Sequence, residues 1–320
     1  MNKEIIEQIW LNITHSGKGE FEYQLLSNGS KPQLNIGFNS KNQRCLLLEL
    51  PISFEKPFKQ YEKENLSLKY FKNERCLCIM LNDIYFKDLF DDLILSIFSK
   101  IYQVLDPNDY SELFTKHFFK WSAFFEKKKF DGLSREQVKG MIGELFFLKN
   151  QLLELSINVD DIISTWRGPY DEGHDFVSDF VDYEIKTIEN TKNNVRISSE
   201  FQLESEKGKE LLLVVISVVF DIENGLSLKS LINDIKSIIL DKLGDNSIFI
   251  NAISQKGLVF DDLEQYEIYK YTPVFETLYD CTKINFPKLI SSNTPEEINE
   301  INYNIRLNLI DEFITYKKQF

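Results

Sequence analysis

Residues 211–220 read LLLVVISVVF, and only Ser217 in that run is polar. A stretch this short, this apolar and this rich in Val and Ile has the character of a strand buried on both faces. Such a strand needs cover from two sides, and the flanking sequence offers helices to supply it. Upstream, Ser134 followed by Gln137 forms the capping-box pattern of a helix start. Val138, Met141, Ile142, Leu145, Leu148 and Leu152 then recur at three- and four-residue steps, predicting a helix to about residue 155. Within it, Gly140 and Gly143 each cost about 1 kcal/mol relative to Ala, so they are expected to admit another element closely. Downstream, 227–240 (SLKSLINDIKSIIL) places Leu228, Leu231, Ile232, Ile235, Ile238 and Ile239 at helical spacing. Between these helices, after a loop with Trp166, Gly168 and Pro169, HDFV (174–177) and VDYEIKTI (181–188) read as a hairpin. VRIS (195–198) reads as a third strand, and Ser198 or Ser199 as the cap of a short helix carrying Glu200, Phe201 and Gln202. The order of helix, three strands, helix, strand, helix predicts a mixed sheet covered by helices, an α/β (α+β) sandwich.

The N-terminal part reads differently. QLNIGFN (33–39), RCLLLEL (44–50), LSLKYF (66–71) and RCLCIML (75–81) are short, rich in β-formers and bounded by polar turns. Two helix-like stretches follow, at 87–105 and 110–127. The charged run EKKKFDG (126–132) suggests a boundary, giving a β-rich domain over 1–125 that ends in helices and a second domain with a C-terminal extension over 126–320. The stretch from about 245 is expected to extend the sheet and contribute to an interface. The aromatic segment HFFKWSAFF reads as a buried helix face rather than a base-stacking platform.

Composition excludes several classes. No segment offers the roughly 18 consecutive apolar residues of a membrane span, and the start, MNKEIIEQIW, lacks the pattern of a secretory signal, so a cytoplasmic protein is expected. With three histidines, and with Cys45, Cys76, Cys78 and Cys281 at spacings unlike a zinc site, neither a His-rich nor a Cys-rich metal centre is expected. The net charge of -13 counts against a protein that coats nucleic acid through its whole surface. It leaves open an acidic site that gathers a cation.

The stretch from His174 to Thr187 carries the chemistry. Glu184 and Lys186 stand two apart on a strand, so their side chains leave the same face while Ile185 points away. The hairpin brings Asp175 beside them. Two carboxylates suit a hard divalent cation, and a lysine beside them can orient a water and stabilise developing charge. An E-x-K pair on a strand is by itself usually a solvated ion pair. The agreement of the flanks is what lifts this one: a helix bearing Glu144 precedes and a polar segment with Gln202 follows. His174 reads as a packing or hydrogen-bonding neighbour rather than the proton donor to a leaving group, and Trp166 as closing a turn over the core rather than stacking a base; Arg167, Lys192 and Arg196 could touch phosphates, but solvation is the default for exposed basic residues.

Taken in order, GMIGELFFL, the W-x-G-P turn, HDF, EIKT and ISSEFQL, with FPKL (286–289) and NYNIRLNLI (302–310), resemble a bacterial branch of the PD-(D/E)XK superfamily. The resemblance spans most of the chain and implies a restriction-endonuclease-like fold. It implies a Mg²⁺-dependent DNA endonuclease, with Mn²⁺ as a substitute, acting in restriction or anti-phage defence beside methyltransferase or ATPase subunits or as a homodimer. By position it makes Asp175 and Glu184 the metal ligands, Lys186 the motif lysine, Glu144 the helical glutamate and Gln202 a polar partner. His174 stands where the superfamily pattern has proline, which weakens the motif but removes no ligand. Two other readings remain: a silent binding or assembly subunit of the same fold, and an acidic decoy of DNA. RNA is an alternative substrate.

Overall fold

The computed structural model describes residues 1–13, 19–54, 58, 60–125, 132–154, 156–170, 173–258, 260–295, 297–298 and 301–320. The chain divides into two compact units: Met1–Lys129 with Asp245–Asn251, and Phe130–Gly244 with Ala252–Phe320. Apart from Gly132, the charged run expected to mark a boundary lies outside the described residues.

In the first unit the strands β1 (Phe21–Leu25), β2 (Leu34–Asn39), β3 (Arg44–Glu49), β4 (Tyr61–Glu62), β5 (Leu66–Phe71) and β6 (Cys76–Leu81) form an antiparallel sheet ordered β1-β2-β3-β6-β5-β4. Three helices accompany it: α1 (Lys3–Asn12), α2 (Lys87–Ile101) and α3 (Pro107–Ser122). Helix α1, absent from the sequence reading, is capped by Asn2 and buries Ile6, Ile9 and Trp10 at helical spacing. Trp10 Nε1 donates to Asp91 Oδ1 on α2 at 2.8 Å, and Arg44 Nη1 on β3 lies 3.1 Å from the same oxygen. Phe118, Trp121 and Phe125 are buried, so the aromatic segment builds core. All four cysteines are free and buried, and burial pushes Cys76 and Cys281 up to about 12, keeping them as unreactive thiols.

The second unit contains α4 (Arg135–Glu154), α5 (Val159–Thr165), β7 (Phe176–Val177), β8 (Val181–Glu189), β9 (Asn194–Ile197), β10 (Glu210–Phe220) and α6 (Leu228–Asp241). Helix α7 (Asn246–Gln255), whose residues the two units share, precedes β11 (Tyr271–Asp280), β12 (Tyr303–Arg306) and β13 (Ile314–Gln319). The main sheet is mixed, ordered β13-β11-β10-β8-β7, with β8 parallel to β10 and the other neighbours antiparallel. The apolar run at 211–220 is thus its central strand, as its composition requires. The β8–β10 register sets Glu184 opposite Leu213 and Lys186 opposite Val215, embedding the polar pair in an apolar sheet. Helix α4 opens on the expected reciprocal cap, with Ser134 N donating to Gln137 Oε1 and Gln137 N to Ser134 Oγ.

Two local expectations are corrected. Residues 194–197 form a strand, but it pairs with β12 in a separate two-stranded ribbon instead of joining the main sheet. Its buried face, Val195 and Ile197 with Ile305 from β12, packs against Leu211, Leu213 and Val215 of β10. The segment after Ser198 makes turns, not a helix: Gln202 N donates to Ser199 O and Glu204 N to Phe201 O. Only Leu203 is buried there, so no apolar stripe exists to dock a helix. The glycines of α4 also part ways. A Cβ on Gly143 would lie 1.8 Å from Thr187 Oγ1, so the close approach of α4 to β8 depends on it, whereas a Cβ on Gly140 would meet nothing within 4 Å. Among the described residues no helix is long and apolar enough to cross a membrane.

Candidate active site

The residues singled out from sequence come together in the second unit. Glu144, Asp175, Glu184, Lys186 and Gln202 line one cavity of about 570 Å³, together with Gly140, Gly168, Arg196, Ser198 and Lys256. Each element contributes for a local reason. Helix α4 turns Glu144 to the cavity, and Gly140, one turn earlier on the same face, leaves open the space that a side chain would fill. Strand β8 presents Glu184 and Lys186 on one face, and Lys186 Nζ donates to Glu184 Oε1 at 2.7 Å.

Asp175 stands just before β7. Its backbone carbonyl accepts from Arg167 N at 2.8 Å and Gly168 N at 2.9 Å. Its Oδ2 accepts from Ile185 N at 2.8 Å, between Glu184 and Lys186. Asp175 is therefore held at its backbone carbonyl and at one carboxylate oxygen, Oδ2. Gln202, although not on a helix, reaches the cavity, where its Oε1 accepts from Ser198 N at 2.7 Å and from Lys186 Nζ at 3.2 Å.

Two further residues define the site, and neither was apparent from the sequence. Trp166, buried and stacked near Phe176, donates its Nε1–H to Glu144 Oε2 at 2.8 Å, so it does more than close a turn. Lys256 brings a second ammonium, with its Nζ 3.8 Å from Glu144 Oε1. It follows the last residue of α7 and precedes Gly257, whose φ of 77° ends the helix and fixes where the lysine points from. The glycine was the available signal, but nothing in linear order tied a lysine so far downstream to the acids. His174 is buried with Nδ1 3.5 Å from Asp182 Oδ2 and does not line the cavity, in keeping with a structural neighbour.

The electrostatics follow from crowding acids into an enclosed space. Burial, then the charge of Asp175, pushes Glu184 up to about 8. Burial, then Asp175 again, pushes Glu144 up to about 7 against the pull of Lys256 and Trp166. Burial also raises Asp175, against the Ile185 N–H, Lys186 and Lys256. A cluster that resists its own ionisation is short of positive charge.

The donor chemistry fits a hard divalent cation. The position a Cβ would take on Gly168 is 2.8 Å from Asp175 Oδ1 and 2.9 Å from Glu144 Oε2. Two carboxylate oxygens thus face one small gap that only glycine leaves clear, and all the acids around it are oxygen donors of the kind Mg²⁺ takes. Among the described residues no three carboxylate, imidazole or thiol groups converge closely enough to enclose an ion by themselves.

The comparison with curated proteins and that with solved structures gave no match. A family model described as "Putative PD-(D/E)XK family member" matches residues 6–308, nearly the whole chain. The match over residues 6–308, with which the mixed sheet and the Glu184–Lys186 pair on β8 agree, leads to one assignment: the chain belongs to this PD-(D/E)XK-type family, DUF4420.

Proposed function

We propose that the chain is a divalent-metal-dependent endonuclease that hydrolyses phosphodiester bonds of DNA. The observation that carries this reading is the pairing of buried Glu184 with Lys186 on β8, beside an Asp175 carboxylate anchored to the amide between them. Asp175 and Glu184 are the residues to hold the ion, with Glu144 supporting it from α4. A bound Mg²⁺ supplies Lewis-acid polarisation of the phosphoryl oxygen and lowers the pKa of water.

The chain's own residues perform the rest. Lys186 has three donors, and Glu184 and Gln202 accept from it. That fixes its ammonium and leaves a proton to direct at an attacking water or a phosphoryl oxygen. Gln202, itself tied to Ser198 N, keeps the lysine from following solvent. Trp166 holds Glu144 in one orientation. Lys256, within reach of Glu144 but too long for a hydrogen bond, is placed to meet charge that develops on the phosphate. Water attacks phosphorus and gives up a proton to solvent, the P–O bond to the leaving strand breaks, and the departing oxygen takes up a proton from solvent.

The acidity of the whole chain is compatible with this, because the charge that matters is local to the site and its approaches. A role in defence against foreign DNA, beside methyltransferase or ATPase partners, rests on the resemblance alone. The test is incubation of purified protein with plasmid DNA, with EDTA, Mg²⁺ or Mn²⁺. Wild type should cleave only with metal, and Asp175→Ala and Lys186→Ala should lose that activity while melting as folded proteins. A wild type that binds no Mn²⁺ by calorimetry and leaves both DNA and RNA intact would favour the silent-subunit reading instead.

A further inference from the structure

The ribbon of β9 and β12 has two faces of opposite character. Its register pairs Asn304 with Arg196 and Arg306 with Asn194. Burial alternates strictly: Val195, Ile197 and Ile305 point into the core, and Asn194, Arg196, Asn304 and Arg306 are exposed. One face of a two-stranded ribbon is thus made of two arginines and two asparagines, with no acid, on a chain of net charge -13. The connection leading into β9, residues 190–193 (NTKN), is exposed and adds Lys192 but no acid. Among the described residues neither arginine makes an ion pair or a side-chain hydrogen bond, so both guanidinium groups are uncommitted. Arg196 lines the cavity that holds the acids, while Asn304 and Arg306 line a separate cavity with Lys288 and Leu309, so the ribbon borders both.

From this composition and position, and resting on the nuclease reading above, we infer that the β9–β12 ribbon is the duplex-DNA-binding surface and that it sits in a groove and feeds one strand to the cavity. A two-stranded ribbon is narrow enough for the major groove, which is about 12 Å wide. Its two strands lie about 4.8 Å apart, which leaves room within that width for the side chains of the exposed face. Arginine and asparagine are the side chains whose forked donors and acceptors meet phosphates, guanine and adenine edges. The opposite face is anchored to β10, the central strand of the sheet that carries the catalytic pair, so ribbon and site move as one body.

Fluorescence anisotropy of a labelled DNA duplex in EDTA, over a series of salt concentrations, tests this without cleavage. Arg196→Gln and Arg306→Gln should each weaken binding by roughly tenfold and make the salt dependence shallower by about one unit of log–log slope. Arg306→Gln, remote from the reacting groups, should restore the wild-type cleavage rate at saturating DNA, raising KM and sparing kcat. Thermal melting of each variant separates lost binding from lost folding. If wild type binds duplex DNA and the double variant Arg196→Gln/Arg306→Gln binds it equally, with unchanged slope, the ribbon assignment is wrong while the nuclease reading stands. If wild type prefers a single-stranded RNA to the duplex and both variants lose that preference, the occupant is RNA and the inference is overturned. If wild type neither binds nor cleaves DNA with metal, the nuclease reading itself falls and the ribbon inference falls with it.

Discussion

Replacing Glu184 by Gln should make the metal-free protein more stable. Glu184 is 2% exposed, so solvent screens it little. Burial and the neighbouring Asp175 lift its carboxyl from the ordinary value of 4.5 to about 8. At about 1.4 kcal/mol per unit, the ionised carboxylate costs the fold up to about 4–5 kcal/mol above pH 8. Gln keeps the shape and removes the charge, but it also takes from Lys186 the partner 2.7 Å away. The net gain is therefore smaller, on the order of 1–3 kcal/mol, or about 2–12 °C for a unit of this size. The folded pKa lies above the unfolded one, so this penalty is absent at low pH and grows as pH rises from 4.5 towards 8. Wild type in EDTA should accordingly melt higher at pH 6 than at pH 8.5, with Glu144, raised to about 7, adding to the same window. Mg²⁺ should reverse the order. An ion binding only the native state at 100 times its Kd stabilises by about 2.7 kcal/mol, and Glu184→Gln should forfeit most of that. Scanning calorimetry of the Mg²⁺-responsive transition, with the exposed Glu312→Gln as a control for overall charge, reads all of this. A Glu184→Gln that melts lower than wild type in EDTA at pH 8.5 would refute the reasoning.

Other substitutions probe the packing around the site. Gly168→Ala puts a methyl 2.8 Å from Asp175 Oδ1 and 2.9 Å from Glu144 Oε2, and should weaken Mn²⁺ binding at least tenfold by titration calorimetry. Gly143→Ala drives a methyl into Thr187 Oγ1 and should cost about 1–3 kcal/mol in denaturant melts. Gly140→Ala meets nothing and should stabilise α4 by up to about 1 kcal/mol in the same assay. Lys256→Ala should slow single-turnover cleavage by about 10- to 100-fold, with Lys256→Arg retaining most of the rate.

Much of the site was legible because its parts obey short-range periodicity. Glu184 and Lys186 must share a face of any strand that contains both, and a hairpin strand as short as HDFV (174–177), of which the structure forms only Phe176–Val177 as strand, cannot take Asp175 far away. The cap at Ser134 and the apolar stripe after it oriented α4, so Glu144 fell beside the core edge. The glycine pair was legible only as a cost. Which glycine admits a strand and which faces open space depends on what stands opposite, and only at Gly143 is that a side chain, Thr187. The third strand was misassigned because a four-residue strand with alternating burial will pair with whatever edge is near, and its partner lies more than a hundred residues on.

The division has a physical root. Hydrophobic period, caps and side-chain alternation are properties of consecutive residues, so the linear chain alone determined the central buried strand, its covering helices and the Glu184–Lys186 pair on β8. Only the tertiary structure decided that Lys256 and Trp166 reach Glu144, that Gln202 serves Lys186 from a turn, and that Arg196 and Arg306 share a face. Those contacts join residues whose separation along the chain carries no periodic signal, and they exist because packing closes loops that local preferences leave open.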